Sequence, residues 1–251
     1  MCEVMAQQTQ VARVAERWRP FLDRFPTPAA LAAEPSAEVV RWWSGMGYNR
    51  RAVNLHRCAQ AVVAQHQGHL PDSLDALLAL PGVGPYTARA VLAFAFEHDH
   101  GIVDTNTARV LARCAGRRLS AKDAQEAADD AVPVGDAWAW NQALLDLGSA
   151  VCTRGAPQCG RCPLSATCAW ARAGHPPPDP AGVSGGQIRF EGSDRQGRGR
   201  LVEALRRADV ALADLPAVMG GPGDEPRAGR VVAGLVADGL VVAERGHLRL
   251  A

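Results

Sequence analysis

Four of the seven cysteines crowd into one short stretch, Cys152, Cys159, Cys162 and Cys168, with the spacing C-x6-C-x2-C-x5-C. No other feature limits the fold as strongly, because thiolates that close on one group force the chain between them into a tight loop. Cys2, Cys58 and Cys114 lie scattered. An odd total, in a sequence whose start lacks a basic segment followed by an apolar one, speaks against a disulfide framework and for an intracellular metal site. Four thiolates suit zinc or a [4Fe-4S] cluster. Only Cys159 and Cys162 form a CxxC pair, so the loop is not two zinc knuckles, and its asymmetric spacing directly after a long helical run favours iron–sulfur. Arg154 and Arg161 lie inside the loop, where they could meet phosphates, although a lone loop arginine is more often simply solvated.

The residues before this loop read as helical almost throughout. Val11, Val14, Ala15, Trp18, Phe21 and Leu22 follow i, i+3, i+4, i+7 spacing, and Trp140, Ala143, Leu144, Leu147 and Ala150 repeat it just ahead of Cys152. Short breaks carry Pro, Gly or Asp, as at Phe25-Pro26-Thr27 and Leu80-Pro81-Gly82, and Ser36 and Ser73 stand where N-caps are expected. The fold expected is all-α up to about residue 170. The stretch Gly174-His175-Pro176-Pro177-Pro178-Asp179-Pro180 then reads as a linker. Beyond it, Leu201, Val202 and Leu205 predict one helix and Val231, Val232, Leu235 and Val236 another. Leu240 and Val242, the turn Glu244-Arg245-Gly246, and Leu248 and Leu250 predict a hairpin. Two helices and a hairpin make a small winged-helix-like α/β tail, too short to be stable alone and expected to dock or bind something.

Composition excludes some classes of function. With 47% hydrophobic and 21% charged residues the chain is not mainly disordered, and no apolar run reaches the ~20 residues of a membrane helix. The net charge of +1 counts only weakly against a nucleic-acid partner, because binding depends on where the basic groups sit.

Two further features carry chemistry. Pro81, Gly82, Val83 and Gly84 form a Gly-rich turn between two helical runs, followed by Tyr86. Two glycines let the backbone approach a ligand closely, and the next helix starts with free N–H groups, which suits a DNA phosphate held without base specificity. An αα-turn that needs glycine only for its geometry is the plainer alternative. The other feature is a pair of acids, Glu3 in Glu3-Val4-Met5-Ala6-Gln7-Gln8-Thr9 and Asp104 in Val103-Asp104-Thr105-Asn106. Asp104 precedes a helix expected to begin near Thr107, so an N-cap is its structural reading. By default Glu3 is a solvated terminal residue.

Taken together these strings resemble the helix-hairpin-helix DNA glycosylases of the endonuclease III superfamily, and specifically the MutY-type adenine glycosylases. The likeness runs from Glu3 through Cys168. It rests on E-V-M-x-Q-Q-T, Gly45-Met46-Gly47-Tyr48, L-P-G-V-G-P-Y-T-A, V-D-T-N, Asn141-Gln142-Ala143-Leu144-Leu145-Asp146-Leu147-Gly148 and the cysteine loop. The tail from Gly185 to Arg200, with its Asp194-Arg195-Gln196-Gly197-Arg198-Gly199-Arg200 string, looks like the short C-terminal extension of actinobacterial members.

The resemblance implies a six-helix barrel with helix-hairpin-helix over residues 1–98, an iron–sulfur domain over 99–172, a linker over 173–192 and the small module over 193–251. It implies excision of adenine mispaired with 8-oxoguanine or guanine in double-stranded DNA, by base flipping and acid-assisted hydrolysis of the N-glycosidic bond. Glu3 matches the general acid that protonates adenine at N7, and Asp104 the carboxylate that stabilises the sugar cation. Tyr86 and Asn106 match positioning residues, Gln142 a residue lining the adenine pocket, and Gln8, Thr9 and Tyr48 the strand-opening and opposite-base contacts. Cys152, Cys159, Cys162 and Cys168 match the ligands of a [4Fe-4S] cofactor. Relatives that also cut the strand carry Lys at position 86, whose amine can form a Schiff base; Tyr86 cannot, so a monofunctional enzyme is expected. The protein implied is a monomer of the bacterial cytoplasm, nucleoid-associated, with no membrane partner. Two parts of the family pattern are unmatched: a segment ahead of the Glu3 motif that includes Leu-Pro-Trp, and a Nudix-like C-terminal domain that in many relatives reads 8-oxoguanine. The alternatives are a thymine or uracil mismatch glycosylase on the same fold and a non-catalytic DNA-binding protein.

Overall fold

A computed structural model describes residues 1–182 and 189–251. The chain divides into two compact units, Met1–Pro71 with Ala79–Gly82 and Gly186–Ala251, and Asp72–Leu78 with Val83–Gly185. Among the described residues no helix is long and apolar enough to cross a membrane.

The first unit starts with the helices Cys2–Ala6, Val11–Arg24, Pro28–Ala32, Ser36–Trp42 and Arg50–His66. Its core is aromatic: the Phe21 ring stands 4.8 Å from Phe25 and meets Trp43 edge-on at 5.7 Å, and all three are buried. Within Val11–Arg24 the buried face is Val14 and Phe21 with Trp18 packed beside them. Val11, expected on that stripe, points to water at 78% exposure, because the helix begins at this residue and its first turn projects past the core. Ser36 does not cap its helix. Pro35 takes the cap position with φ −61°, and its carbonyl accepts from Glu38 N at 2.9 Å.

The C-terminal part of this unit contains the helices Asp194–Leu205, Leu215–Val218 and Glu225–Ala237 and three short strands, β1 (Val210–Ala211), β2 (Val241–Glu244) and β3 (His247–Leu250). They form an antiparallel sheet of order β1-β3-β2, with Val241 opposite Leu250 and Glu244 opposite His247. The hairpin forms where the sequence predicts it, since Arg245 (φ +49°) and Gly246 (φ +80°) supply the two left-handed residues that a tight hairpin turn needs. Its inward face is shifted by one residue. Val241, not Val242, is buried with Leu248 and Leu250, because Leu240 is used ahead of the strand, where its carbonyl accepts from Ala251 N at 3.1 Å. β1 has two residues and so no readable period.

The tail docks, as its size requires. Leu201, Leu235 and Leu248 belong to one buried cluster with Phe21, Val39 and Trp43. Arg206 fastens the joint, donating from Nε to the Val40 carbonyl at 3.1 Å and from Nη2 to Asn49 Oδ1 at 2.8 Å.

The second unit packs Pro85–Ala95, Thr105–Ala115, Ala121–Ala131 and Ala137–Asp146 around the small residues Ala90, Ala93 and Ala137 with Ile102 among them. Small side chains bring backbones close: a Cβ on Gly101 would lie 2.4 Å from the backbone carbon of Ala128. Ala137–Asp146 runs on into a π-helical turn, Leu147–Val151, that delivers Cys152. In the Pro-rich stretch Asp179 pairs with Arg113 at 2.5 Å, and Trp170 Nε1 donates to the Pro176 carbonyl at 3.0 Å.

Candidate functional site

In the first unit Glu3 sits in the first turn of Cys2–Ala6, with Val4 and Met5 buried behind it. Five residues cannot hold a helix by themselves. A buried arginine holds this one. Arg51 donates from Nη1 to the carbonyls of Val4 (2.9 Å), Met5 (2.8 Å) and Gln7 (2.6 Å), and from Nη2 to Thr9 Oγ1 (2.8 Å) and the carbonyls of Met46 (3.0 Å) and Gly47 (3.2 Å). These are the open carbonyls and the hydroxyl of the Glu3-Val4-Met5-Ala6-Gln7-Gln8-Thr9 string and two carbonyls of Gly45-Met46-Gly47-Tyr48, so one guanidinium ties two sequence motifs together. Burial pushes the Glu3 carboxyl above its ordinary range, with the N-terminal charge opposing part of that shift.

Gln8 (φ +52°) and Tyr48 (φ +45°) both adopt left-handed backbone without being glycine, and both are exposed. Such conformations cost about 1–3 kcal/mol and persist where surrounding contacts enforce them. Thr9, by contrast, is held through its hydroxyl by Arg51. Pro81 and Gly82 enter the turn, and Gly82 is required twice over. Its φ is +77°, and a Cβ there would lie 2.6 Å from Asn54 Cβ.

In the second unit Val83 leads to Gly84, which takes the N-cap of Pro85–Ala95 with Pro85 at the first helical position. Tyr86 follows it, half-buried against the small-residue core. Asp104 is the N-cap of Thr105–Ala115, two residues earlier than the sequence suggests. Its Oδ1 accepts from the amides of Asn106 (2.8 Å) and Thr107 (2.7 Å), and its Oδ2 from Asn106 Nδ2 (2.9 Å). The capping reading is therefore correct as geometry. It is also what fixes a carboxylate at a helix N-terminus, where the backbone dipole favours negative charge.

Two side chains to which the sequence reading gives no role hold this arrangement. Asn141, buried, accepts from Ile102 N at 2.8 Å and donates to the carbonyls of His100 (2.9 Å) and Ala137 (2.8 Å), fixing the chain that enters Asp104. Arg109 donates from Nη2 to Asn106 Oδ1 (2.8 Å) and the Gly148 carbonyl (2.6 Å), and from Nε to the Cys152 carbonyl (2.7 Å). Gly148 makes this possible, since a Cβ there would stand 2.8 Å from Asn106 Cβ. Arginines at 109 and 113 are readable as an i, i+4 pair, but spacing alone does not separate a buried pair from a solvated one. Gln142, expected to line a base pocket, bonds Asp146 Oδ1 at 3.3 Å in the next turn.

Cys152, Cys159, Cys162 and Cys168 all line one cavity, together with Val110, Val151, Leu164 and Trp170. Arg113, buried, donates from Nη1 to Cys152 Sγ at 3.3 Å and to the Thr153 carbonyl at 2.9 Å, and Asp179 on its other side is held below the usual carboxylate range by that contact. Cys114 lines the same cavity, so it is no distant bystander; burial, then the neighbouring Cys168, pushes its thiol up to about 12. Four soft donors lining one mostly apolar cavity beside a fixed cation fit, by their chemistry, an anionic thiolate-bound cluster. Among the described residues no group of three or more such side chains is set to hold a single ion. Arg154 and Arg161 are exposed on the loop, Arg161 bonding Gln158 Oε1 at 2.9 Å.

Residues 1–133 match the family described as HhH-GPD superfamily base excision DNA repair protein. The chain is 40% identical over 245 residues to a Mycobacterium tuberculosis protein named adenine DNA glycosylase, covering 95% of this chain and 80% of that one. A human protein of the same name is 40% identical over 179 residues, 66% of this chain and 32% of its own length. Among solved structures, a thermostable thymine-DNA glycosylase superposes with TM-score 0.66 at 29% identity, over 68% of this chain and 82% of that one. An endonuclease III in a non-covalent DNA complex gives TM-score 0.61 at 26% identity, over 68% and 82%.

Proposed function

The chain belongs to the HhH-GPD superfamily of base excision DNA repair proteins, and from that premise we infer that it is a DNA glycosylase that removes adenine. Its partner is DNA. We propose further that the adenine taken is the one mispaired with 8-oxoguanine or guanine, and that the enzyme is monofunctional and acts at the nucleoid of the bacterial cytoplasm.

One observation carries the chemistry: two carboxylates stand in opposite surroundings. Burial raises Glu3, which favours the proton-bearing form that an acid catalyst needs. Asp104 receives three N–H donors, an arrangement suited to a carboxylate acceptor. In the reaction we propose, Glu3 gives its proton to N7 of the flipped adenine and the N9–C1′ electron pair leaves with the base. Asp104 stabilises the cationic sugar until water adds at C1′ and gives its proton to the Glu3 carboxylate, which restores the acid. Asn106 and Tyr86 keep their positioning roles, and Gln142 reaches the base after exchanging its contact with Asp146. Pro81, Gly82, Val83 and Gly84 supply backbone to a phosphate, and Arg154 and Arg161 add charge from the cysteine loop.

Cys152, Cys159, Cys162 and Cys168 would hold a [4Fe-4S] cluster, whose contribution when bound is to fix the shape of that loop. The cavity they share and the Arg113 cation beside Cys152 support this assignment.

Single-turnover excision on duplexes carrying A opposite 8-oxoguanine, A opposite G and T opposite G, each resolved with and without alkali, tests the reading. Excision of adenine from the first two, with strand breaks only after alkali, is the expected result. Excision of thymine instead would mark the mismatch enzyme that the thymine-DNA glycosylase likeness brings to mind. Binding without excision on all three would leave only a DNA-binding protein.

A further inference from the structure

A groove of about 840 Å³ in the first unit is lined by Gln8, Arg13 and Tyr48 from the N-terminal part of the chain and by Phe190, Arg195 and Gly199 from the C-terminal part. Every lining residue belongs to that unit. The volume is that of a ligand pocket, with room for one or two nucleotides.

The groove is cationic. Five arginines line it against a single carboxylate, Asp238, and Asp238 is already paired with Arg198 and, at 3.4 Å, with Arg50. Among the described residues the Arg13 side chain has no hydrogen-bond or ion-pair partner, and the Arg195 side chain has only the face of Phe190, 5.0 Å from its ring centre. Cations left without counter-charges beside two half-exposed aromatic rings, Tyr48 and Phe190, are what a strand of phosphates and unstacked bases requires.

Gly199 points the same way. It lies inside the helix Asp194–Leu205, where glycine costs about 1 kcal/mol relative to alanine. Its neighbour Gly197 is packed, with a Cβ meeting Arg227 at 3.0 Å, but a Cβ on Gly199 would meet nothing within 4 Å. Packing therefore does not explain the second glycine, whereas close approach of a ligand to bare backbone does.

We propose that the C-terminal module is part of the substrate-binding surface: this groove takes the DNA strand opposite the excised adenine, with phosphates on Arg13 and Arg195 and bases against Tyr48 and Phe190. The strand assignment rests on the adenine glycosylase reading, through Gln8 and Tyr48. The module supplies Arg195 and Gly199, and the segment just ahead of it supplies Phe190.

Three variants of the full-length protein test it, Arg195→Glu, Phe190→Ala and Gly199→Leu, with Arg249→Ala, on the hairpin and outside the groove, as control. Binding to a duplex holding an uncleavable adenine analogue opposite 8-oxoguanine is read by fluorescence anisotropy across salt. Arg195→Glu is expected to weaken it about tenfold and flatten the salt dependence by roughly one ion. Phe190→Ala should cost a similar factor with the salt slope unchanged. Gly199→Leu should weaken binding while holding or raising the melting temperature, a combination that misfolding cannot produce. Wild-type affinity and salt slope in all three, from a parent that binds and excises, would overturn the proposal. A parent that neither binds nor excises would instead overturn the glycosylase reading. For the strand assignment, p-benzoylphenylalanine at position 190 should photo-cross-link to the strand opposite the adenine; adducts confined to the adenine strand, or none, reject it.

Discussion

Arg51 holds Thr9 through an Nη2–Oγ1 hydrogen bond of 2.8 Å, and its other amino group takes the carbonyls of Val4, Met5 and Gln7. The Glu3 helix thus depends on a side chain far away in sequence. Arg51→Met leaves several buried carbonyls without donors and is expected to lower stability by about 3 kcal/mol or more, read as a shift in urea midpoint at constant m. Arg51→Lys should recover little, because a point charge on a flexible stem cannot reach six acceptors as a planar fork does.

Asp104→Asn separates catalysis from folding. Asparagine caps a helix about as well as aspartate, so the melting temperature should stay close to that of the parent. Excision should fall about 100- to 1,000-fold with the charge removed, while binding to uncleaved duplex is retained. Lost binding would show that Asp104 serves the fold or the DNA contact rather than the bond-breaking step.

Arg109 reaches both Asn106 and the Cys152 carbonyl, and so acts on Asp104 only through Asn106. Arg109→Gln should slow single-turnover excision while leaving duplex affinity within about threefold, since positioning affects the chemical step more than uniform binding. Arg109→Lys should restore part of the rate. Equal losses of rate and affinity would make Arg109 a structural residue alone.

The raised Glu3 carboxyl sets a pH dependence. The proton-bearing form is the acid, so excision should be fastest below the raised value and decline as pH rises through it; Glu3→Gln should remove that limb together with about 100-fold or more of the rate. The sign for stability agrees. The native state holds more protons here than the unfolded chain, so Glu3 disfavours folding progressively as pH climbs from the ordinary carboxylate range to the raised value.

The sequence by itself determined the helical body, the Gly-rich turn, the tail's hairpin and the cysteine loop, because each is written locally: in a 3.6-residue period, in glycines at left-handed positions, in a ligand spacing. It also marked Glu3 and Asp104, though only as members of strings that resemble a family. Tertiary structure alone decided which polar side chains are buried and what they hold. Arg51, Arg109, Arg113 and Asn141 look in sequence like any surface polar residue on a helix, and their roles come from acceptors up to 66 residues away. The burial of Val241 in place of Val242, the place of Cys114 beside the other thiols, and a groove lined from both ends of the chain share that cause. Each depends on what packs opposite a residue, which periodicity cannot encode.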